Sequence, residues 1–306
     1  MGVMKNYNRW PHSKTYNEAV ESTLFERPQG ARVALISGCS SGIGYVTARR
    51  LAGAGWIVFG GLRRPGDRDG TAGLRQAGVR PLPLDVTDPR QLRAAIDQVN
   101  AEAGRLDALI NNAGVDYLGA LEDQPDHALR SVMEINFFGA MALTRFALPL
   151  MRKTQSTTII MISSLSGLLG LPGSSAYCAS KFALEGATEA LRNEVGRFGV
   201  RVALLEPGAY ATAMGCKRNV PADYPASSPY LPMLEHLAQA RAGMADPAAV
   251  AALILEVIES GAPRLRYAAG DQAQQVCAHM VNLDDAARQR YARSVTDLEW
   301  WHEGDS

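Results

Sequence analysis

The amino-acid sequence predicts an α/β protein: a single domain on a doubly wound parallel sheet of about seven strands, with helices on both faces. Three observations predict it. Short apolar runs alternate with longer helical patterns along most of the 306 residues. The runs are apolar throughout rather than every second residue, as expected for strands of a parallel sheet covered on both sides. The first run leads straight into a glycine-rich turn that opens a helix.

Taken in order, strands are expected at 32–37 (RVALIS), 56–62 (WIVFGGL), 80–84 (RPLPL), 106–110 (LDALI), 157–163 (TTIIMIS), 201–206 (RVALLE) and 264–269 (RLRYAA). Helices are expected near 43–54, 88–103, 126–153, 175–198 and 246–260, with one more at 284–300. Right-handed crossovers between such strands produce a Rossmann-type sheet, whose ligands sit outside the carboxyl ends of the strands. Neither an internal repeat nor a low-complexity linker interrupts the pattern. Residues 1–30 read as an N-terminal extension, 31–270 as the α/β domain and 271–306 as a C-terminal helical extension. Within the domain, 209–245 is a long insertion between a strand and a helix and reads as a lid on the substrate side, since such loops in compact domains are usually functional or disordered.

Charge and composition exclude several classes. Lys plus Arg number 31 and Asp plus Glu 31, so the formal net charge is zero. A nucleic-acid binder would carry a basic excess or stripe, and none is present. The longest apolar runs are too short to span a bilayer. The first thirty residues lack the apolar centre of a signal peptide, and Asn6 stands where a myristoylation signal needs Ser or Thr. Cys39, Cys178, Cys216 and Cys277 are scattered, without metal-ligand spacing to each other or to the five His. A cytoplasmic protein with reduced thiols and no metal is expected.

The turn after the first strand is SGCSSGIG, Ser37 to Gly44. Gly38 allows the tight turn, and Gly42 and Gly44 let a pyrophosphate and the sheet come close to the helix start. The free N–H groups and positive end of that helix attract the phosphates. LDVTD (84–88) and NNAG (111–114) close the third and fourth strands, placing Asp85 and Asn112 at the same sheet edge. Turn and capping chemistry would also account for an Asp and an Asn there. Ser164 follows the fifth strand. Tyr177 comes thirteen residues later and Lys181 four after that, in SSAYCASKFALEGATEAL (174–191). Spacing of four sets the phenol and the ammonium on one helix face. Asn136 stands mid-helix in MEINFFGA, where Asn is a poor helix former unless its amide has a partner.

SGCSSGIG, NNAG, Asn136, Ser164, YCASK and PGAYAT (207–212), in this order, resemble the short-chain dehydrogenase/reductase family in its single-domain branch. The resemblance runs from about residue 31 to 270 and is nearest to hydroxysteroid and retinol dehydrogenases and bacterial ketoreductases. Ser37 replaces the usual Thr, and the two extensions are not standard for the family. The resemblance implies a hydride transfer between a nicotinamide cofactor and a ketone or secondary alcohol. Tyr177 would be the general acid, and the base in reverse. Lys181 would favour the phenolate and bind the nicotinamide ribose. Ser164 would hold the substrate oxygen, and Asn136 would anchor a water that passes protons to Lys181. A cation about 4–5 Å away at an effective dielectric of about 20 favours a phenolate by roughly 3–4 kcal/mol before desolvation losses, the size needed to bring a Tyr toward neutral pH. Cofactor contacts are expected from Gly38, Ser40, Ser41, Gly42, Ile43, Gly44, Arg63, Arg64, Asp85, Val86, Asn112, Ala113, Gly114, Tyr177, Lys181, Pro207, Gly208, Tyr210 and Thr212.

NADP(H) is expected over NAD(H). At the end of the second strand Leu62 stands where an NAD-selective relative would place an Asp for the ribose 2′-OH, and Arg63 and Arg64 follow. A guanidinium fork suits a 2′-phosphate. Carbonyl reduction is then the expected working direction. Tyr210, Met214, Tyr224, Tyr230, Leu231, Met233 and Leu234 in the insertion suggest an apolar wall for a lipophilic or bulky small-molecule substrate, unless the loop packs these residues on itself. FFGAMALTRFAL (137–148), apolar on more than one face, suggests a homodimer or homotetramer. Three other readings remain in view: a dinucleotide-binding regulator without turnover, an NAD-dependent alcohol dehydrogenase working oxidatively, and a sugar-nucleotide epimerase. The retained Ser, Tyr and Lys oppose the first, and the different glycine spacing opposes the last.

Overall fold

Seven strands form one sheet: β1 (Val33–Ile36), β2 (Ile57–Leu62), β3 (Arg80–Pro83), β4 (Ala108–Asn111), β5 (Thr157–Ile162), β6 (Val200–Pro207) and β7 (Arg266–Ala269). Their order is β3-β2-β1-β4-β5-β6-β7, and every pairing is parallel. The computed structural model describes residues 30–66, 70–154, 156–212, 219–239, 244–280 and 283–303. Residues 31–306 make one compact unit.

The strands are apolar throughout because each feeds two cores. In β1, Val33 and Leu35 belong to one cluster, Ala34 and Ile36 to the other. In β5, Ile159 and Met161 go one way, Ile160 and Ile162 the other. Each fully buried aliphatic side chain contributes about 1.5–3 kcal/mol. Helices α1 (Gly42–Gly53), α2 (Thr71–Gln76) and α3 (Pro89–Ala103) follow the first three strands. The first core takes Leu92, Ile96 and Val99 from α3, and the second takes Ala48 and Leu51 from α1. β3 carries Pro81 and Pro83. It is the sheet's edge strand, where a missing N–H does no harm.

The long helix expected over 126–153 is three pieces: α4 (Asp126–Met133), a π-helical stretch (Glu134–Gly139) and α5 (Ala140–Thr154). α6 (Ser175–Val195) ends in a short 3₁₀ turn, Gly196–Phe198. Beyond it lie α7 (Leu231–Gln239), α8 (Ala248–Glu259), α9 (Asp271–Met280), α10 (Asp285–Thr296) and α11 (Glu299–Glu303). The expected insertion 209–245 therefore contains a helix, α7. It packs Met233, Leu234 and Leu237 with Leu118, Tyr224 and Leu298. The lid residues of the sequence reading thus largely pack on each other, and Met214 lies outside the described residues.

The candidate active site

The chain reverses direction of winding between β1 and β4, so the cleft opens above the carboxyl ends of these two strands. Here Ser37 organises the turn. It is buried, and its Oγ accepts from the N–H groups of Asn112 and Ala113, each at 3.0 Å. Asn112 Nδ2 donates to the carbonyls of Ser37 (2.9 Å) and Gly38 (3.0 Å). The Asn112 side chain is therefore committed to the turn, and its neighbours Ala113 and Gly114 continue along the cleft edge. Gly38 and Gly42 have φ of +74° and +59°, the left-handed region that favours glycine. A Cβ on Gly44 would collide with Asn112 Nδ2 and the Gly38 carbonyl.

Ser40 and Ser41 are exposed at the start of α1, Ile43 is half-buried, and Ser41 makes no side-chain cap. The Ser41 side chain thus leaves the N–H groups of the first turn of α1 to another acceptor. Thr212 faces this turn: a Cβ on Gly42 would come 3.1 Å from Thr212 Cβ. This uncapped, glycine-lined cradle fits a pyrophosphate. Arg63 and Arg64 follow β2 directly and are exposed, with no salt bridge to a described residue. Asp67 and Asp69, the acids near them in sequence, lie outside the described residues. Leu62 is buried.

Past β3, Asp85 Oδ1 accepts from Thr87 N and Thr87 Oγ1, and Val86 is buried. At the end of β6, Pro207 and then Gly208 reach the same edge. Tyr210 differs from the expectation in detail: its side chain is buried in the second core, with its hydroxyl against Gly270. Only its backbone is left for a cofactor.

Ser164 caps a 3₁₀ turn after β5, accepting from Ser166 N at 3.1 Å, and is half-buried. Tyr177 is also half-buried, in the first turn of α6. Lys181, one turn on, is only 4% exposed. Its Nζ donates to the Ile162 carbonyl at 2.8 Å and stands 5.6 Å from the centre of the Tyr177 ring. Burial pushes the Lys181 ammonium down to about 8, opposed by the charges of Glu185 and Asp116.

Asn136 lies inside the π-helical stretch and is buried. Its Oδ1 accepts from Val115 N (2.8 Å), and its Nδ2 donates to the Val115 carbonyl (2.9 Å) and Ser180 Oγ (3.0 Å). Ser180 Oγ in turn donates to the Tyr177 carbonyl at 2.7 Å. The amide therefore ties the segment after β4 to the helix bearing Tyr177 and Lys181. Single π turns inside helices often mark functional sites. Sequence reasoning gave none of Ser37, Val115 and Ser180 its observed role. Ser37 reads as a conservative replacement and Ser180 as one of the small residues that let cofactor and substrate reach the helix, while Val115 carries no signal without its long-range partner.

A glycine-lined dinucleotide cradle at the switch point, with a Ser, a Tyr and a buried Lys past β5, defines a nicotinamide-dependent oxidoreductase acting on CH–OH and C=O groups. The chain belongs to the short-chain dehydrogenase family, whose model matches residues 32–222. It is 42% identical over 189 residues to a 3-ketodihydrosphingosine reductase of Bacteroides thetaiotaomicron, covering 62% of this chain and 68% of that one. It is 32% identical over 280 residues to the human 17-beta-hydroxysteroid dehydrogenase type 1, covering 86% and 84%. Among solved structures it resembles a short-chain dehydrogenase/reductase of Burkholderia phymatum in complex with NAD, with a TM-score of 0.72 and 25% identity over 87% and 95% of the two chains. Among the described residues, no helix is long and apolar enough to cross a membrane.

Proposed function

We propose that this protein is an NADP(H)-dependent ketoreductase for a lipophilic or bulky ketone, with Ser164, Tyr177, Lys181 and Asn136 as its working residues. The observation that carries the reading is the seating of Lys181. A fully buried ammonium, held to the Ile162 carbonyl, stands one helical turn from a half-exposed phenol. When bound, the nicotinamide supplies the hydride. Tyr177 gives its proton to the oxygen of the reduced carbon, and Lys181 lowers the cost of the phenolate left behind. Ser164 Oγ positions that oxygen beside the phenol. Asn136 keeps α6 in register with the segment after β4, and the proton supply to Lys181 passes beside the π turn it occupies.

Gly38, Ser40, Ser41, Gly42, Ile43 and Gly44 would hold the pyrophosphate. Asp85, Val86, Asn112, Ala113, Gly114, Pro207, Gly208, Thr212 and the Tyr210 backbone would line the rest. Arg63 and Arg64 would read a 2′-phosphate, since Leu62 offers no acceptor for a 2′-OH. For the substrate, support comes from two relatives whose names state a ketosphingoid and a hydroxysteroid. Support also comes from the half-buried apolar residues Tyr230 and Leu231 on the cover formed by 209–245.

The test is NADPH and NADH consumption with a panel of carbonyls from short hydrophilic ketones to steroid- and sphingoid-sized ones, run beside Tyr177→Phe. Turnover of the large ketones with NADPH, lost in Tyr177→Phe with cofactor affinity nearly intact, is the expected result. Preference for small polar carbonyls, or a Tyr177→Phe enzyme retaining more than a small fraction of the rate, overturns the reading.

A further inference from the structure

Behind Lys181, on the side away from the cleft, lies a group of buried charges that the reaction as described does not use. Glu185 is one turn further along α6, on the face that carries Lys181. It is 5% exposed. Its Oε2 accepts from Arg266 Nε of β7 at 3.0 Å, and the Ser163 hydroxyl also faces the carboxylate and favours its charged form. Glu206 of β6 is 2% exposed and places Oε1 3.5 Å from the same Nε. Its Oε2 accepts from Cys277 Sγ of α9 at 3.4 Å. Glu189, largely exposed, takes Arg266 Nη2 at 3.0 Å. One guanidinium thus serves three carboxylates.

A buried ammonium is costly without an opposite charge, and a carbonyl contact supplies only a dipole. For Lys181 the nearby carboxylates are Glu185 and, on the segment after β4, Asp116. The packing keeps Glu185 close. A Cβ on Gly167, just past Ser164, would sit 2.8 Å from Ser163 Oγ, 3.0 Å from Glu185 Cγ and 3.3 Å from the Lys181 carbonyl. Glycine at 167 lets the turn after Ser164 lie directly on this part of α6.

We propose that Glu185 is a positioning residue: its buried carboxylate is the counter-charge that keeps the Lys181 ammonium seated behind Tyr177, and Arg266 holds that carboxylate in place. The proposal rests on Tyr177 and Lys181 acting as the acid–base pair. Glu185 reaches the phenol through Lys181, since it is one turn from the lysine and two from the tyrosine. Burial raises the Glu185 carboxyl and carries that of Glu206 to about 7. Their charged forms, and with them the counter-charge of Lys181, are therefore favoured as pH rises, toward the range where Tyr177 must ionise.

The test uses the protein without cofactor or substrate. Tyrosinate ultraviolet absorbance is followed against pH in the parent and in Tyr177→Phe, and the difference isolates Tyr177 among the 10 tyrosines. The same titration is run on Glu185→Gln, Glu185→Met and Glu185→Asp, each paired with its Tyr177→Phe double. Glu185→Met guards against misfolding, because buried ions often exchange for apolar residues of like size without loss. In the parent, Tyr177 ionises ahead of the other tyrosines. In Glu185→Gln and Glu185→Met, Lys181 gives up its proton first and Tyr177 ionises about one pH unit later. Glu185→Asp recovers part of the shift. An early-ionising Tyr177 that does not move in the Gln and Met variants overturns the role of Glu185 alone. The absence of any early-ionising tyrosine in the parent overturns the acid–base pair, and this proposal with it.

Discussion

At the scale of single residues, the site works by placing groups where their charge is costly. Lys181 and Glu206 are buried ionisable side chains whose burial opposes their charged forms. Glu206 carries its raised carboxyl into a pH-dependent stability. Its folded value, about 7, is above that of an unfolded Glu, so the stability it favours is present in acid and lost as pH rises through about 7. Glu206→Gln should therefore raise Tm by about 2–6 °C at about pH 8 and leave it almost unchanged at about pH 5, by calorimetry at both pH values. Equal shifts at the two would show that the carboxyl does not titrate there. Arg63 gives a second expectation. A charge-assisted bond to a phosphate contributes about 1.5–3 kcal/mol, or roughly tenfold to a hundredfold in affinity. Arg63→Ala should raise KM for NADPH by that factor and leave KM for NADH nearly unaltered. Equal effects on both, or a parental preference for NADH, would remove the 2′-phosphate contact.

At the scale of elements, the junction of β1, α1 and β4 is tightly packed. Ser37, Gly38 and Asn112 exchange hydrogen bonds there, and Gly44 packs into the same space. Overpacking at a close contact costs about 1–3 kcal/mol. Gly44→Ala should lower Tm by roughly 3–10 °C and weaken cofactor binding in fluorescence titration. Unchanged values for both would mean that the helix start can shift at no cost. The π-helical stretch is the other sensitive element. It turns Asn136 toward both Val115 and Ser180, and so joins two segments that flank the cleft. The cover is anchored similarly. Tyr224 Oη donates to Asp123 Oδ2 at 2.8 Å, and Ser228 Oγ donates to the same oxygen at 2.6 Å.

For the whole molecule, the C-terminal helices pack against the turn after β5 and against α7. α10 sends Arg288 Nη2 to the Leu168 carbonyl at 2.6 Å, just past the Ser164 turn. Leu298, before α11, is buried beside Met233 and Leu234 of α7. The tail that carries Trp300 and Trp301 thus rests on the cover, and Trp301 lies 6.3 Å from Tyr230. Among the aromatics exposed in the described residues are Phe138 of the π stretch, 51% exposed, and Phe182 of α6, 44% exposed. Exposed rings on adjoining helices favour association through that face. Light scattering at micromolar concentration should give the mass of a dimer or tetramer, and Phe138→Glu with Phe182→Glu should shift it toward monomer. A parental monomer would remove the assembly.

What the sequence determined by itself is local and periodic. All seven strands were legible within a few residues, because an apolar run bounded by glycine or a helical pattern is fixed by burial on both sheet faces. The glycine turn and the Tyr177–Lys181 spacing were legible for the same reason: each is a short-range geometric requirement. Helices α2, α7 and α9 were not legible. α2 is six residues long, and α7 has Pro232 in its first turn, inside a stretch that read as loop. Tertiary structure alone decided the π turn at Asn136, since its amide partners at Val115 and Ser180 stand 21 and 44 residues away. It alone buried the Tyr210 side chain, and it alone brought Glu185, Glu206, Arg266 and Cys277 together from four elements. The physical reason is the same in each case. A buried polar group must find a partner, and which partner it finds is set by how the chain returns through space rather than by the residues beside it.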